Sequence, residues 1–122
     1  MNTDVNALTE RVLGCAFSVS NTLGAGFLEG VYERALAIEL ESNSILFSRQ
    51  SPLKVLYRNR EVGIYVADFI VKNRLILEIK AVSRLLGEHQ AQLLNYLKAG
   101  NFEVGLLINF GRPRLEIKRM AL

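Results

Sequence analysis

Residues 104–110, Val-Gly-Leu-Leu-Ile-Asn-Phe, form an almost continuously apolar run. A strand of this kind suits a sheet that is covered on both faces, because each face must then present apolar side chains to its cover. The run directly follows a helical pattern over residues 87–99, so it can lie parallel to an earlier strand after a right-handed crossover. The sequence therefore predicts an α/β fold, in which a mixed sheet is flanked by helices on both faces.

The order of the other elements follows from hydrophobic periodicity and turn residues. A first helix is predicted from a cap at Thr3 or Asp4 to about Thr22, and a second helix over residues 28–42. The second helix is expected to bury Val31, Ala35, Ile38 and, as a further candidate, Leu36. Other strands are predicted over residues 45–50, 53–57, 61–71, 74–82 and 115–120, with a turn at Ser51-Pro52.

Length and composition limit the class of protein. At 122 residues, half of them hydrophobic and 22% charged, the chain is expected to form one domain with a single core. It contains no run of about 18 uncharged apolar residues, so we expect no membrane span and no membrane partner. The first residues lack the pattern of a secretory signal, and Cys15 is the only cysteine. A reducing cytoplasm is therefore the expected compartment.

The charge is mildly basic, with a net charge of +3 and a pI of about 9.2. This balance permits nucleic-acid binding without requiring it. The basic residues cluster at turns and near the C-terminus, at Arg58, Arg60, Lys72, Arg74, Arg112, Arg114, Lys118 and Arg119. They could be phosphate contacts, or they could be the usual basic residues of solvated turns and a protected edge strand.

Three charged residues lie inside strand-like apolar sequence, Asp68 and, ten residues later, Glu78-Ile79-Lys80. Such charges must be paired or bound when they are buried. Glu78 and Lys80 share one face of a strand, and the alternating leucine and isoleucine residues take the other. Two carboxylates beside an ammonium group could hold a hard cation and a water for hydrolysis of a phosphodiester. Alternatively, the three groups form a structural ion pair on a half-exposed sheet.

The loop between the two strands decides whether Asp68 and Glu78 can meet. A two-residue turn at Lys72-Asn73 would set Asp68 opposite Leu77 and place Glu78 on the other face. A loop with an odd number of residues restores them to one face. Asn73 tolerates the left-handed conformation that ends a three-residue hairpin loop, so the sequence allows the site with such a loop.

Several motifs occur together along the chain. They are Gly26-x-x-Glu29-x-x-Tyr32, Asp68, Glu78-Ile79-Lys80, Gln92-x-x-x-Tyr96 and a glycine-flanked run over residues 105–111. In this combination the chain closely resembles the GxxExxY protein family, a compact branch of the PD-(D/E)XK nuclease superfamily, from about residue 8 to residue 119. The resemblance implies an αβββαβ restriction-endonuclease-like core that carries the site.

The resemblance also implies roles for the charged residues. Asp68 and Glu78 would be the metal-binding carboxylates for Mg²⁺ or Mn²⁺, and the backbone carbonyl of Ile79 would be a further ligand. Lys80 would orient or activate the attacking water. Glu29 would be brought toward the metal from the helix, although its position also suits a glutamate that complements the helix N-terminus. Three such carboxyls around one lysine are expected to raise a carboxyl pKa when no metal is bound.

Three further residues would contact the substrate. By resemblance, Gln92 would hold the catalytic lysine or contact the substrate backbone, with Tyr96 beside it on one helix face. Tyr32 would present its hydroxyl at the rim. The alternatives are a polar residue at a helix boundary for Gln92 and core packing for Tyr32.

The function that these features imply is a metal-dependent nuclease that hydrolyses phosphodiester bonds of nucleic acid, with DNA favoured. The alternative is a non-catalytic module on the same fold that binds nucleic acid or protein and can form a homodimer. The intact Asp68, Glu78 and Lys80 favour the enzyme, whereas the small size and the lack of a substrate-reading domain favour the module.

One position departs from the family pattern. Members commonly carry a histidine before a Leu-Gly-Pro-Gly turn, whereas this chain has Ser20 there and Ala25 in place of the proline. A hydroxyl is a poor substitute for imidazole with a transition metal, although water can serve for Mg²⁺.

We therefore expect Ser20→His to tighten Mn²⁺ binding by more than it tightens Mg²⁺ binding, because imidazole suits the softer ion. Calorimetric titration of both proteins with both metals measures the difference. Equal affinities in the two proteins would mean that position 20 does not face the metal.

Overall fold

The computed structural model describes residues 3–122. The helices are α1 (Thr3–Leu23), α2 (Glu29–Ser42) and α3 (Gly87–Gly100), and the strands are β1 (Phe47–Tyr57), β2 (Arg60–Val71), β3 (Leu75–Lys80), β4 (Val104–Asn109) and β5 (Glu116–Ala121). The spatial order of the five strands is their order along the chain. Among the strands of residues 3–122, only β3 and β4, which α3 connects, run parallel. The predicted mixed α/β sheet with one crossover is therefore confirmed.

Helices cover both faces of the sheet. On one face, α1 and α2 pack on alternate residues of β3 and β4, among them Leu77 and Ile108. On the other face, α3 packs on the intervening residues, among them Ile76 and Leu107. Every residue of β4 is buried, as its continuous apolar sequence predicts. No helix in the described part of the chain is long and apolar enough to cross a membrane.

The predicted turn at Ser51-Pro52 is wrong, because β1 is continuous and Pro52 pairs with Val66. Proline lacks a backbone N–H, which argues against a central strand but is tolerated at an edge. Strand β1 is an edge of the sheet, which is where proline is accommodated in a strand. The two predicted strands over residues 45–57 are therefore one.

The predicted buried face of α2 is also partly wrong. Ile38 is 64% exposed, while the buried positions are Tyr32, Glu33, Leu36, Ala37 and Leu40. Positions 32, 36 and 40 are four apart and form one stripe of the helix. The helix is thus rotated relative to the prediction, and only Leu36 of the expected residues is fully buried. At α1, the side chain of Thr3, a predicted cap, lies outside the described residues.

A buried asparagine holds the segment that follows β3. The Oδ1 atom of Asn109 accepts the backbone N–H groups of Val82 (2.9 Å) and Gly111 (3.0 Å). Its Nδ2 atom donates to the carbonyl of Val82 and to Oε1 of Glu116, both at 3.0 Å. Glu116 Oε1 also accepts the N–H of Leu85 at 3.0 Å. The chain leaving β3 is therefore fixed against the end of β4.

This close approach depends on a glycine. A Cβ atom at Gly111 would overlap the backbone N and O atoms of Val82, which cannot move aside as a flexible side chain could. We expect Gly111→Ala to lower the free energy of unfolding by about 1–3 kcal/mol, as measured by urea denaturation.

The matched control is Gly87→Ala at the start of α3, where an added Cβ meets no heavy atom within 4 Å. Its effect is expected to be neutral or stabilising by up to about 1 kcal/mol. Equal stabilities of the two variants would contradict the proposed packing of the segment after β3.

Candidate active site

The loop between β2 and β3 sets Asp68 opposite Glu78. Val71 pairs with Leu75, which leaves a loop of three residues, and the last pair in the ladder is Phe69 with Leu77. Lys72 and Asn73 in this loop have φ values of 50° and 55°. The prediction that an odd-numbered loop brings the two carboxylates together is therefore confirmed for the register of the strands.

Beyond that last pair, the two carboxylates take over the hydrogen bonding between the strands. Oε2 of Glu78 accepts the backbone N–H of Asp68 at 2.8 Å. In return, Oδ2 of Asp68 accepts the backbone N–H of Ile79 at 2.8 Å. These reciprocal bonds fix one oxygen of each carboxylate and leave the other oxygen for a further partner. Glu78 is only 4% exposed.

The same geometry orients the backbone of Ile79. In a strand, the N–H and C=O groups of one residue point to the same neighbour, and the next residue points to the opposite one. The N–H of Ile79 faces Asp68 on β2, whereas the carbonyl of Lys80 accepts from Phe110 after β4 at 2.8 Å. The Ile79 carbonyl is therefore directed toward the gap between β2 and β3, beside the carboxylates.

A backbone irregularity opens this gap. Phe69 and Ala67 are two apart on β2 but lie in opposite core clusters, although residues two apart in a regular strand share a face. On the facing strand, Gln50 has a φ of +50°. At Gln50 and Asp68 the side chains of both strands therefore switch from one face of the sheet to the other. The pairing of β2 with β3 ends at the same place.

A second polar group supports Asp68 from the side of β1 and α2. The Nε2 atom of Gln50 donates to Oε2 of Glu33 at 3.0 Å and to Oδ1 of Asp68 at 3.4 Å. Glu33 is buried and also accepts from Arg49 at 2.8 Å. Our sequence reasoning missed these three residues. Glu33 could have been found from the sequence, because it lies four residues after Glu29 and hence on the same helix face. The positive φ of Gln50 has no such signal in the sequence.

Lys80 lies beside the carboxylates and is held from α3. Its Nζ atom donates to Oε1 of Gln92 at 3.2 Å. One turn further along α3, Tyr96 is 8% exposed and its ring lies 5.2 Å from that of Tyr65. His89 accepts the N–H of Leu86 at its Nδ1 atom, so it caps α3. The helix thus places Gln92 and Tyr96 along the side of the site.

Tyr32 does not line the site. It is 0% exposed, and its ring stacks on Phe110 at 4.9 Å. Its hydroxyl donates to the carbonyl of Gly24 at 2.6 Å and accepts the N–H of Phe27 at 3.1 Å. Because no part of it is accessible, the prediction that Tyr32 contacts substrate is wrong. It fixes the loop before α2 and so determines where Glu29 is presented.

Ser20 is buried near the end of α1, and its carbonyl accepts from Gly24 at 2.9 Å. Among the hydrogen bonds of the described residues, none links its hydroxyl to Asp68 or Glu78. Its predicted place in a metal shell stays a prediction.

The carboxyls of the site hold more negative charge than one lysine offsets. Burial, and then the charge of Asp68, raises the pKa of Glu78 to about 8. Burial is also the main cause that raises the pKa of Asp68. The pKa of Glu29 is raised by desolvation and then by the charge of Asp68. Clustered carboxyls with raised pKa values are typical of functional sites.

These groups fit a hard divalent cation. Within residues 3–122, no cluster of three or more His, Cys, Asp or Glu residues is arranged to hold a metal ion. Mg²⁺, however, is commonly bound through one or two carboxylates and keeps several waters. Asp68 and Glu78 supply two carboxylates, and the Ile79 carbonyl supplies a third oxygen of the preferred type.

The raised pKa of Glu78 predicts a pH dependence of stability in the metal-free protein. The folded state keeps this proton up to a pH of about 8, whereas the unfolded chain releases it above its ordinary pKa of 4.5. The stabilisation is therefore complete below pH 4.5 and is lost as the pH rises toward 8. We expect Glu78→Gln, which stays neutral, to be more stable than the wild type at pH 8 by more than about 1.4 kcal/mol.

Urea denaturation at pH 5 and pH 8 in the presence of a chelator measures this difference. Glu61→Gln, at an exposed carboxyl of the β1–β2 hairpin, is the matched control and should keep the wild-type pH profile. A Glu78→Gln profile parallel to that of the wild type would contradict the protonated state of Glu78.

Comparisons with known proteins identify the fold and the superfamily of this chain. The solved structure of SSO0001 is similar to this chain, with a TM-score of 0.58 and 20% sequence identity over 76% of this chain and 50% of that chain. The present chain thus spans about half the length of SSO0001, and at this identity the likeness shows the fold alone. The comparison with curated proteins gives no match. The model of a family described as the PD-(D/E)XK nuclease superfamily matches residues 6–120. The chain belongs to the PD-(D/E)XK nuclease superfamily.

Proposed function

We propose that this protein is a Mg²⁺- or Mn²⁺-dependent nuclease that hydrolyses phosphodiester bonds of nucleic acid, with DNA as the favoured substrate. Within the superfamily, its motifs are those of the GxxExxY family. The observation that carries the proposal is the reciprocal bonding of Asp68 and Glu78, with Lys80 held beside them by Gln92. These residues provide paired carboxylates and a positioned ammonium group at one end of the sheet.

Asp68 and Glu78 would hold the cation through Oδ1 and Oε1, the carboxylate oxygens outside their reciprocal bonds, with the Ile79 carbonyl as a third contact. Oδ1 of Asp68 is also the oxygen that Gln50 contacts at 3.4 Å. When bound, the cation would lower the pKa of a coordinated water and neutralise charge on the phosphate. The Lys80 ammonium would stabilise negative charge that develops on the phosphate or orient the attacking water. Glu29, at the start of α2, would orient water from the exposed side of the site.

Two residues of α3 would act on the lysine and the substrate. Gln92 accepts a hydrogen bond from Lys80 and so restricts the position of the ammonium group, which favours a productive geometry. Burial raises the pKa of Tyr96, and the negative charges of Glu78 and Asp68 raise it further. The Tyr96 hydroxyl is therefore close to both carboxylates. A neutral hydroxyl there could donate to a phosphate oxygen of the substrate.

Lys80→Ala is expected to lower the cleavage rate at least about 100-fold, because removing one group that stabilises transition-state charge typically costs that much. It should spare metal binding, since both carboxylates remain. Glu78→Ala should abolish metal binding and cleavage together. The assay follows cleavage of single- and double-stranded DNA and RNA with and without Mg²⁺ or Mn²⁺, and calorimetry measures metal binding.

Lys72→Ala is the matched control, because it removes an exposed lysine from the β2–β3 loop and should leave cleavage unchanged. Cleavage retained by purified Lys80→Ala would point to a contaminating nuclease or another mechanism. Nucleic-acid binding by the wild type without cleavage in any metal would instead support a non-catalytic module.

A further inference from the structure

Strands β1 and β2 continue well past the candidate active site as a two-stranded ribbon, which we call the hairpin arm (residues 52–66). It ends in a turn at Arg58 and Asn59, whose φ values are 51° and 63°. The turn is flanked by the pair Tyr57 and Arg60. At about 3.3 Å per residue, the arm extends roughly 25 Å beyond Asp68.

Only part of the arm is covered by the rest of the protein. Leu53 packs in the α3 cluster, and Tyr65 contacts Tyr96 of α3. The arm exposes several large apolar side chains, which are Leu56, Tyr57, Val62 and Ile64 toward its tip and Val66 near its base, each 43–62% exposed. An exposed apolar surface of this kind is typical of a binding surface.

The arm is also basic. It carries Lys54, Arg58 and Arg60 and a single acidic residue, Glu61, all exposed. Lys54 lies 3.8 Å from Glu61, whereas no ion pair among the described residues involves Arg58 or Arg60. The Arg58 guanidinium instead lies over the Tyr57 ring, at 5.5 Å from its centroid. The turn therefore presents two arginines to a ligand of the arm, and one of them is held against an aromatic ring.

The position of the arm connects it to the active site. Its base is the irregularity at Gln50 and Asp68, and Asp68 is one of the two paired carboxylates. A ligand that lies along the arm down to its base therefore reaches the paired carboxylates. The substrate of the active site is the ligand that this arrangement favours.

We propose that the hairpin arm docks double-stranded DNA by entering its major groove, an inference that rests on the proposed nuclease function. The major groove of B-form DNA is about 12 Å wide and admits a two-stranded β-ribbon. The major groove of duplex RNA is too deep and narrow for this. Arg58 and Arg60 at the turn contact phosphates or guanine edges, and Leu56 or Ile64 contacts thymine methyl groups.

A second copy of the chain is the other occupant that the apolar residues could meet. In a two-fold pairing of arms, each surface would face its own copy. Each arm carries three basic residues and one acidic residue, so two paired arms would bring together surfaces with the same net charge, which costs binding energy. DNA, in contrast, complements the charge of the arm.

The test measures binding of one labelled sequence as duplex DNA, single-stranded DNA and duplex RNA by fluorescence anisotropy. Divalent metal is left out, so the result does not depend on cleavage. The double variant Arg58→Ala/Arg60→Ala is compared with Lys118→Ala/Arg119→Ala. Lys118 and Arg119 lie on β5, at the opposite edge of the sheet. Their double variant removes the same two positive charges from exposed positions.

The wild type should bind duplex DNA more tightly than the other two forms. The arm variant should lose about tenfold or more in affinity and show a slope of affinity against salt that is smaller by about 1–2. The β5 variant should change by less than about threefold, because surface charge remote from a contact contributes little at physiological salt. Thermal melting of both variants verifies that they are folded.

Four results would overturn the docking proposal. Equal loss in the two variants would indicate general electrostatic attraction, and equal affinity for the three nucleic acids would exclude groove docking. A dimer by light scattering that Ile64→Asp converts to a monomer, with DNA binding unchanged, would assign the arm to a second copy. If the protein binds duplex DNA through the arm but cleaves no nucleic acid, the nuclease proposal alone is refuted. If it cleaves nucleic acid and the rate does not depend on Arg58 and Arg60, the docking proposal alone is refuted.

Discussion

Two hydrogen bonds across the end of the β2–β3 ladder hold this site together. Where the strands diverge, the N–H groups of Asp68 and Ile79 lose their backbone partners, and a buried N–H without a partner is costly. The carboxylates of Glu78 and Asp68 accept these donors reciprocally. The same bonds that close the sheet thereby bring two carboxylates together in a largely buried place. Their raised pKa values follow from that burial, and a bound cation would compensate the charge.

The neighbouring elements keep this end of the sheet rigid from three sides. On the α3 side, Gln92 accepts from Lys80. After β3, Asn109 fixes the chain through both backbone groups of Val82. On the β1 side, Gln50 bridges Asp68 and the buried Glu33. A catalytic group needs this kind of support, because a small displacement of a reacting group lowers the rate strongly.

The Gly-x-x-Glu-x-x-Tyr motif has a structural explanation in this fold. Gly26 has a φ of 117°, a conformation that residues with a side chain rarely adopt. The buried Tyr32 then ties the loop together through the carbonyl of Gly24 and the N–H of Phe27. The glutamate between them, Glu29, is exposed at the start of α2. The glycine and the tyrosine of the motif therefore serve to position its glutamate near Asp68.

The sequence by itself determined the order of the elements, the parallel crossover and the apolar face of β3, because these depend on local periodicity and on one continuous apolar run. It also indicated Asp68, Glu78 and Lys80, which lie on neighbouring strands, and the family resemblance added Gln92 on the helix that follows. Only the tertiary structure decided which face of α2 is buried, since Tyr32, Leu36 and Leu40 fit the core and Ile38 does not. It also decided that β1 continues through Pro52, because an edge strand does not need the missing N–H. The support of Asp68 by Gln50 and Glu33 joins three elements that are distant in the chain, and such contacts depend on how the elements pack rather than on any local pattern.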